Sequence, residues 1–291
     1  MGLQLGIALA LLCAFATNLG FLLKHRGACE APAVNFRKPV SSAIGLFKTP
    51  IFLAGYGVAA VAFTLHVGAL WFAPISIVQS VISGGLVFLA VIAERVFGYH
   101  LGKRQWVGVI LTALGLMLLA LTVPHGGDHR FSLAALIIFE STALVLGVLL
   151  LVGPRLGAGE EHHGVLLAGA AGVLIGVSDI AIKAMTNIAS QSGAFAALLS
   201  PWLMLALVMS VVSFFAVARG LQIGEAVPVI TIIGVAASFV QIIGGIVVFS
   251  DPMPSGSMGV IAQAFGFVLV CAAAVLVPAP TRVADTSAQP A

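Results

Sequence analysis

Charged and polar side chains are so sparse in this 291-residue chain that each can be read singly. Asp179 and Lys183 stand four apart in the run GVSDIAIK. One helix would stack them as a pair. Glu140 stands nine residues into an apolar run with no base one turn away, roughly 13 Å deep at 1.5 Å per residue. A carboxyl so placed is protonated, paired with another helix, or in contact with water. A protonatable midplane carboxyl is also what coupling to protons requires. Thr231, Gly234, Ser238, Gln241 and Gly245 are spaced 3, 4, 3, 4 and fall on one helical face. Ser76, Ser80, Ser83 and Glu94 repeat that phase earlier in the chain, with Gln79 beside them. His66, Gln79, Asp179 and Gln241 reach a common level, roughly 6–9 Å below one surface by the same rise. Such groups can line a path for a polar solute or an ion. They can equally hold helices together, because small residues allow close packing and Ser, Thr and Gln bond between helices.

The elements that position these residues follow from composition. Hydrophobic residues make up 60% of the chain and charged residues 8%, with a mean hydropathy of +1.17. A soluble domain carries about 25% charged residues, so this chain cannot cover a water-facing surface. Soluble, disordered and disulfide-scaffold classes are excluded. The net charge of +3 is small and forms no basic patch of the kind that binds nucleic acid. Cys13, Cys29 and Cys271 lie too far apart in sequence for a metal motif. No cofactor motif is present.

Nine stretches are long enough for a helix across a bilayer core about 30 Å thick: 3–23, 50–70, 73–97, 105–123, 131–152, 164–189, 196–219, 225–249 and 257–278. Their apolar runs are continuous and do not alternate as barrel strands do. The fold class is therefore an all-α polytopic membrane protein with nine transmembrane helices. Lys24 and Arg26 follow the first span, the reverse of a secretory signal. Eleven bases follow the odd-numbered helices: Lys24, Arg26, Arg37, Lys38, Lys48, Arg95, Lys103, Arg104, Arg155, Arg219 and Arg282. The other side holds Arg130. The positive-inside rule then puts the N-terminus outside and the C-terminus in the cytoplasm, with the plasma (inner) membrane as the location. Within segment 24–49 the piece SSAIGLF is expected on the inner membrane surface, held partly by its bases. The sequence HGGDHR, with His125, Asp128 and His129, reads as a solvated turn.

An internal repeat is legible. Gly108-Val109-Ile110-x-x-Ala113-x-Gly115 recurs as Gly259-Val260-Ile261-x-x-Ala264-x-Gly266, a shift of 151 residues. The same shift superposes Leu70 on Leu221, Val78 on Val229, Phe88 on Phe239 and Val96 on Val247. Helices 2–4 match helices 7–9, and FLLK ending at Lys24 matches IAIK ending at Lys183. Equivalent helices are five apart, an odd number, so each crosses in the opposite sense to its partner. The chain divides into a first four-helix repeat (1–123), a linker helix with its loops (124–163), an inverted second repeat (164–278) and a polar tail expected to be disordered (279–291). Two such halves can rock about a site between them and open it to either side in turn.

The run APISIVQSVISGGLVFLAVIAERVFGYHLGKRQWVGVILTALGLMLLAL resembles a helical hairpin of the drug/metabolite transporter superfamily, of EamA-like pattern. The marks are Pro74 near the helix start, Glu94 at the inner end, and Gln105-x-x-Gly108 opening the next helix. The opening IALALLCAFATNLGFLLKHRGA resembles the first helix of the NIPA-type magnesium transporter branch, as does the nine-helix count. The resemblance covers nearly all of residues 3–278. The second half departs from it: Asp251-Pro252 replaces the acidic helix end, and Gly245 stands where the repeat places Glu94.

Function is read in three ways. The first is a secondary transporter of a small polar solute, with a path drawn from Asp179, Lys183, Glu140, His66, Gln79, Ser80, Ser83, Thr231, Ser238 and Gln241. Lys183 would meet a carboxylate or phosphate on that solute. The alternative, implied by the resemblance, is transport of Mg²⁺. Mg²⁺ wants oxygen ligands and keeps several waters, and Asp179 and Glu140 would be the metal-binding acids. Gln79, Gln241, Asn18 and Thr17 could add oxygens, while Lys183 beside Asp179 opposes a cation there. The third reading is a non-transporting membrane scaffold. An enzyme is not expected, since no paired acidic motif, HExxH or Ser/His dyad on one helix is present. Expected partners are the lipid bilayer and the solute or Mg²⁺, not nucleic acid; a homodimer is compatible with this reading.

Overall fold

The computed structural model describes residues 2–72, 75–122, 132–157, 159–250 and 256–276. Their regular structure is helical, with no strand among the described residues. In chain order the helices are α1 Gly2–Glu30, α2 Pro39–Lys48, α3 Pro50–Phe72, α4 Ile75–Gly84, α5 Leu86–Arg95, α6 Lys103–Thr122, α7 Leu133–Val152, α8 His163–Ser192, α9 Ala194–Leu198, α10 Pro201–Ile223, α11 Ala226–Phe249 and α12 Ser257–Leu276. Two 3₁₀ turns, Gly153–Leu156 and Glu160–His162, join α7 to α8. Residues 123–131 and 251–255, and with them His125, Asp128, His129 and Asp251, lie outside the described residues.

Six of these helices are long and apolar enough to cross a bilayer: Gly2–Glu30, Pro50–Ala69, Leu133–Val152, His163–Ala189, Pro201–Ile223 and Ala226–Phe249. Hydrocarbon offers backbone groups no partner, so helix is the state that satisfies them. The chain is a polytopic helical membrane protein. Four boundaries differ from the sequence expectation. The expected span 196–219 starts instead at Pro201, behind the separate short α9, because Pro fits the first helical turn. The first helix continues past residue 23 to Glu30, because Gly27 weakens it by only about 1 kcal/mol and the first residue without an N–H to give is Pro32. Segment 24–49 is therefore only partly loop, and it carries α2, which opens on Pro39 at its first turn. The expected span 73–97 is divided at Gly85 into α4 and α5, of ten residues each.

The break at Gly85 has a local cause. Gly85 N–H donates to both Val81 O and Ile82 O, and Phe88 N–H donates to Gly85 O at 2.8 Å, a tightened turn. Asn18 on α1 donates Nδ2–H to the same carbonyl at 3.0 Å. It also reaches Ala14 O at 2.8 Å. A Cβ at residue 85 would overlap Ala14 Cβ, so only glycine lets α1 approach this closely. The second half shows no such break: Ala236, 151 residues on, lies within continuous α11.

Small residues set the main helix pairings. α1 lies along α3, where a Cβ on Gly20 would come within 3.1 Å of Gly55 O. α8 lies against α10 and α11, and α6 against α12. The largest apolar cluster draws Leu22, Leu46, Phe52, Leu89, Val109, Ala168, Leu221 and Val229 together from both halves of the chain. A polar seam lies beside it. His25 Nε2–H donates to Gly224 O at 3.2 Å, so in the neutral ring Nδ1 accepts from the Tyr99 hydroxyl at 3.1 Å. Gln222 Nε2 donates to Ala28 O and Pro32 O, and its Oε1 accepts from Val34 N–H at 2.9 Å. Gln105 Nε2 donates to Glu225 at 3.0 Å. The junction of α10 and α11 is thus bonded to three segments of the first half.

Candidate functional site

Close packing of α8 on α11 creates the polar contact at the centre of the site. A Cβ on Gly172 would lie 2.7 Å from Ala236 Cβ, and one on Gly176 2.6 Å from Val240 Cγ1. With the helices that close, the next turn brings Asp179 to Gln241, whose Nε2 donates to Asp179 Oδ2 at 2.6 Å. Asp179 is half-buried and Gln241 exposed. The bond of Asp179 therefore runs across to another helix rather than along its own to Lys183. The Lys183 ammonium lies 4.4 Å from the centroid of the Phe249 ring, a cation–π contact.

Exposure along the small-polar face of α11 rises from Thr231 to Gln241 and falls again at Gly245. Thr231 is buried, Gly234 and Ser238 are half-buried, and Gln241 is exposed. A Cβ on Gly234 would meet nothing within 4 Å. Yet α11 is an inner helix, flanked by α1, α5, α6, α7, α8, α10 and α12. Gly245, the last residue of the stripe, is buried.

Two buried polar groups have no hydrogen-bond partner among the described residues: the Glu140 carboxyl, through both oxygens, and the Thr231 hydroxyl. Leu136 and Ala143 share the face of α7 that bears Glu140. They pack against Ile180, Ala184 and Val248 on one side, and against Val173, Val177 and Val240 on the other. Glu140 thus points into the apolar seam between α7, α8 and α11, 4% exposed.

His66 does not join Asp179 and Gln241. It lines a separate cavity of about 270 Å³ between α1, α3 and α4, with Cys13, Thr17, Phe21, Lys24 and Phe63 among its walls. Ser83 is half-buried on α4, two residues before the break. Gln79 and Ser80 fall on α4, but their side chains lie outside the described residues. Among the described residues no three of His, Cys, Asp and Glu converge on one point.

Two functional groups had signals that hydropathy alone did not weigh. Asn18, a buried amide in an apolar helix, serves the Gly85 break. Ser178, next to Asp179, bonds to Ala206 O and Ser210 Oγ at 3.1 and 2.8 Å and ties α8 to α10.

The chain resembles known proteins over most of its length. It is 23% identical over 290 residues to the probable magnesium transporter NIPA9 of Arabidopsis thaliana, covering 95% of this chain and 82% of that protein. It is 28% identical over 127 residues to the uncharacterized protein Cgl0250/cg0304 of Corynebacterium glutamicum, covering 43% of this chain and 44% of that one. No solved structure matches significantly. The family model for the magnesium transporter NIPA matches residues 2–282, and with the helical membrane architecture this establishes that the chain belongs to the NIPA magnesium transporter family.

Proposed function

We propose that this protein carries Mg²⁺ across the plasma membrane by alternating access, with Asp179 as the main ion-meeting acid and Gln241 as its partner. The observation that carries the reading is the Asp179–Gln241 bond on the open polar face of α11, in a chain of this family. A carboxylate and an amide oxygen are hard ligands, and a partly hydrated ion can use both. Gln241 now gives its N–H to Asp179; rotation of the amide about its last torsion presents Oε1 to the ion instead. Thr231 and Ser238 continue the path with hydroxyls. Glu140 lies behind it, against the same helix.

The nine-helix plan, the two inverted repeats (1–123 and 164–278) and the linker (124–163) are part of this proposal. Support comes from Gly115 and Gly266, equivalent under the shift of 151, which face each other across α6 and α12. Further support comes from the pairing of α1 with α3 and of α8 with α10, which are matching pairs under the repeat. With the basic loops inside, the seam of His25, Gln222 and Glu225 is the cytoplasmic closure. A carrier of an anionic solute gains less support, because the family model that matches residues 2–282 is that of a magnesium transporter.

The test is Mg²⁺ uptake into liposomes holding the purified protein and a Mg²⁺-sensitive dye. Asp179→Asn should lower the initial rate while the protein stays monodisperse. Uptake no faster than in protein-free vesicles, or an unchanged rate in Asp179→Asn, would refute the assignment.

A further inference from the structure

The cavity between α1, α3 and α4 lies apart from the Asp179–Gln241 pair and carries its own chemistry. Thr17, Phe21 and Lys24 come from one face of α1; Ala59, Phe63 and His66 come from one face of α3. The α1 wall begins at Cys13, eleven residues before Lys24. That is a slot about 16 Å long at 1.5 Å per residue. Its volume is about 270 Å³. The walls are mostly apolar and open outward, with Phe63 67% exposed.

A cation stands at one end of this apolar slot. Lys24 Nζ lies 3.9 Å from the centroid of the Phe21 ring and 5.1 Å from that of Tyr56. Among the described residues Lys24 has no carboxylate within salt-bridge distance; Glu30 is taken by Arg26 at 3.4 Å. The fold makes room for the Lys24 stem, since a Cβ on Gly55 would lie 2.7 Å from Lys24 Cγ. Lys24 belongs to the basic side of the protein, with Arg26, Arg37, Lys38 and Lys48 following it in sequence. The cytoplasmic leaflet is the anionic one, and basic pockets between helices on that side take lipid head groups.

We propose that this cavity binds an anionic phospholipid of the inner leaflet, its phosphate at Lys24 Nζ and one acyl chain along Phe21, Ala59 and Phe63 toward His66. A lone inorganic phosphate would satisfy the ammonium and leave the apolar slot without a match. The lipid's charge also neutralises a fixed cation that would otherwise repel Mg²⁺ within the same bundle. This inference does not depend on the transport reading.

Native mass spectrometry of the full chain in detergent tests it, with phosphatidylglycerol, phosphatidylcholine or inorganic phosphate added in separate arms. Phosphatidylglycerol should be retained at several-fold higher occupancy than phosphatidylcholine. Lys24→Gln should bring the two lipids level, and Lys24→Arg should preserve the preference. Ala59→Trp, which fills the slot, should lower retention of both lipids. Arg26→Gln, outside the cavity, should change nothing. Equal retention of the two lipids by the unaltered protein overturns the proposal, as does an unchanged preference in Lys24→Gln. Displacement of phosphatidylglycerol by inorganic phosphate overturns the lipid assignment in favour of a phosphate site. Should Lys24→Gln fail to fold, the Ala59→Trp arm decides: undiminished retention there refutes the site. No Mg²⁺ flux is read in any arm, so a failure here leaves the transport proposal standing.

Discussion

Gly115 and Gly266 face each other across α6 and α12 in a reciprocal contact. A Cβ on Gly115 would lie 2.9 Å from Gly266 O, and a Cβ on Gly266 3.1 Å from Gly115 O. Their neighbours keep the exchange: Gly115 abuts Val270, and Gly266 abuts Leu119. Residues 119 and 270 are themselves 151 apart, as are 115 and 266. Replacing either glycine by alanine should overpack this contact, at a cost of about 1–3 kcal/mol. The check is the melting temperature of Gly115→Ala and Gly266→Ala in detergent, with Gly57→Ala, where a Cβ meets nothing within 4 Å, as the control that should not move.

Gln241→Leu tests the ion-meeting pair from the other helix. It removes the hydrogen bond to Asp179 and one oxygen while keeping the approximate bulk. Mg²⁺ uptake should fall by about tenfold, the change that ~1.4 kcal/mol produces. The double variant with Asp179→Asn should fall little further than Asp179→Asn alone, because contacting residues are not additive. Fully additive losses would separate the two residues functionally.

Glu140 makes the opposite prediction for stability. A buried carboxyl with no bonding partner costs the fold about 1–3 kcal/mol. Glu140→Leu should therefore raise the melting temperature. If Glu140 serves the transport path, the same variant should lose Mg²⁺ uptake, a gain in stability with a loss of function. A lower melting temperature would mean that the carboxyl is bonded in the folded protein.

The seam outside the membrane core predicts an alkaline weakness. Burial pushes the Tyr99 phenol up from its ordinary range, and neighbouring Cys29 adds to this while Arg26 opposes it. The folded state thus holds the phenolic proton more tightly than the unfolded state. Its contribution to stability is complete below the ordinary phenol value of about 10 and is lost as pH rises through the folded value. Melting scans from about pH 9 to about pH 11, either side of that value, should show a decline that is shallower in Tyr99→Phe. Equal slopes would remove Tyr99 from the account.

Much of this was legible in the residues. Helices form where apolar runs are long, because lipid leaves the backbone no other partner. Pro50 marks a helix start that the structure keeps. The depth of Asp179 and Gln241 followed from counting along two helices, and the two side chains do meet. The Gly85 break was not legible, because it depends on Asn18 arriving from another helix to take up a freed carbonyl. Lys24 read only as a charge that set orientation; its place at the end of a cavity depends on Gly55 lying opposite.

Sequence alone determined that this is a helical membrane protein and which few polar groups lie within its apolar runs. Tertiary structure decided which of those groups meet: Asp179 with Gln241 and not Lys183, His66 with Lys24's cavity and not the α11 stripe, Glu140 with no hydrogen-bonding partner among the described residues. The reason lies in the solvent. Lipid tails and neighbouring helices are equally apolar, so hydropathy cannot say which face of a helix turns toward a partner. That choice rests on close approach at Gly172, Gly176, Gly55 and Gly85, a fit of surfaces that only the assembled bundle specifies.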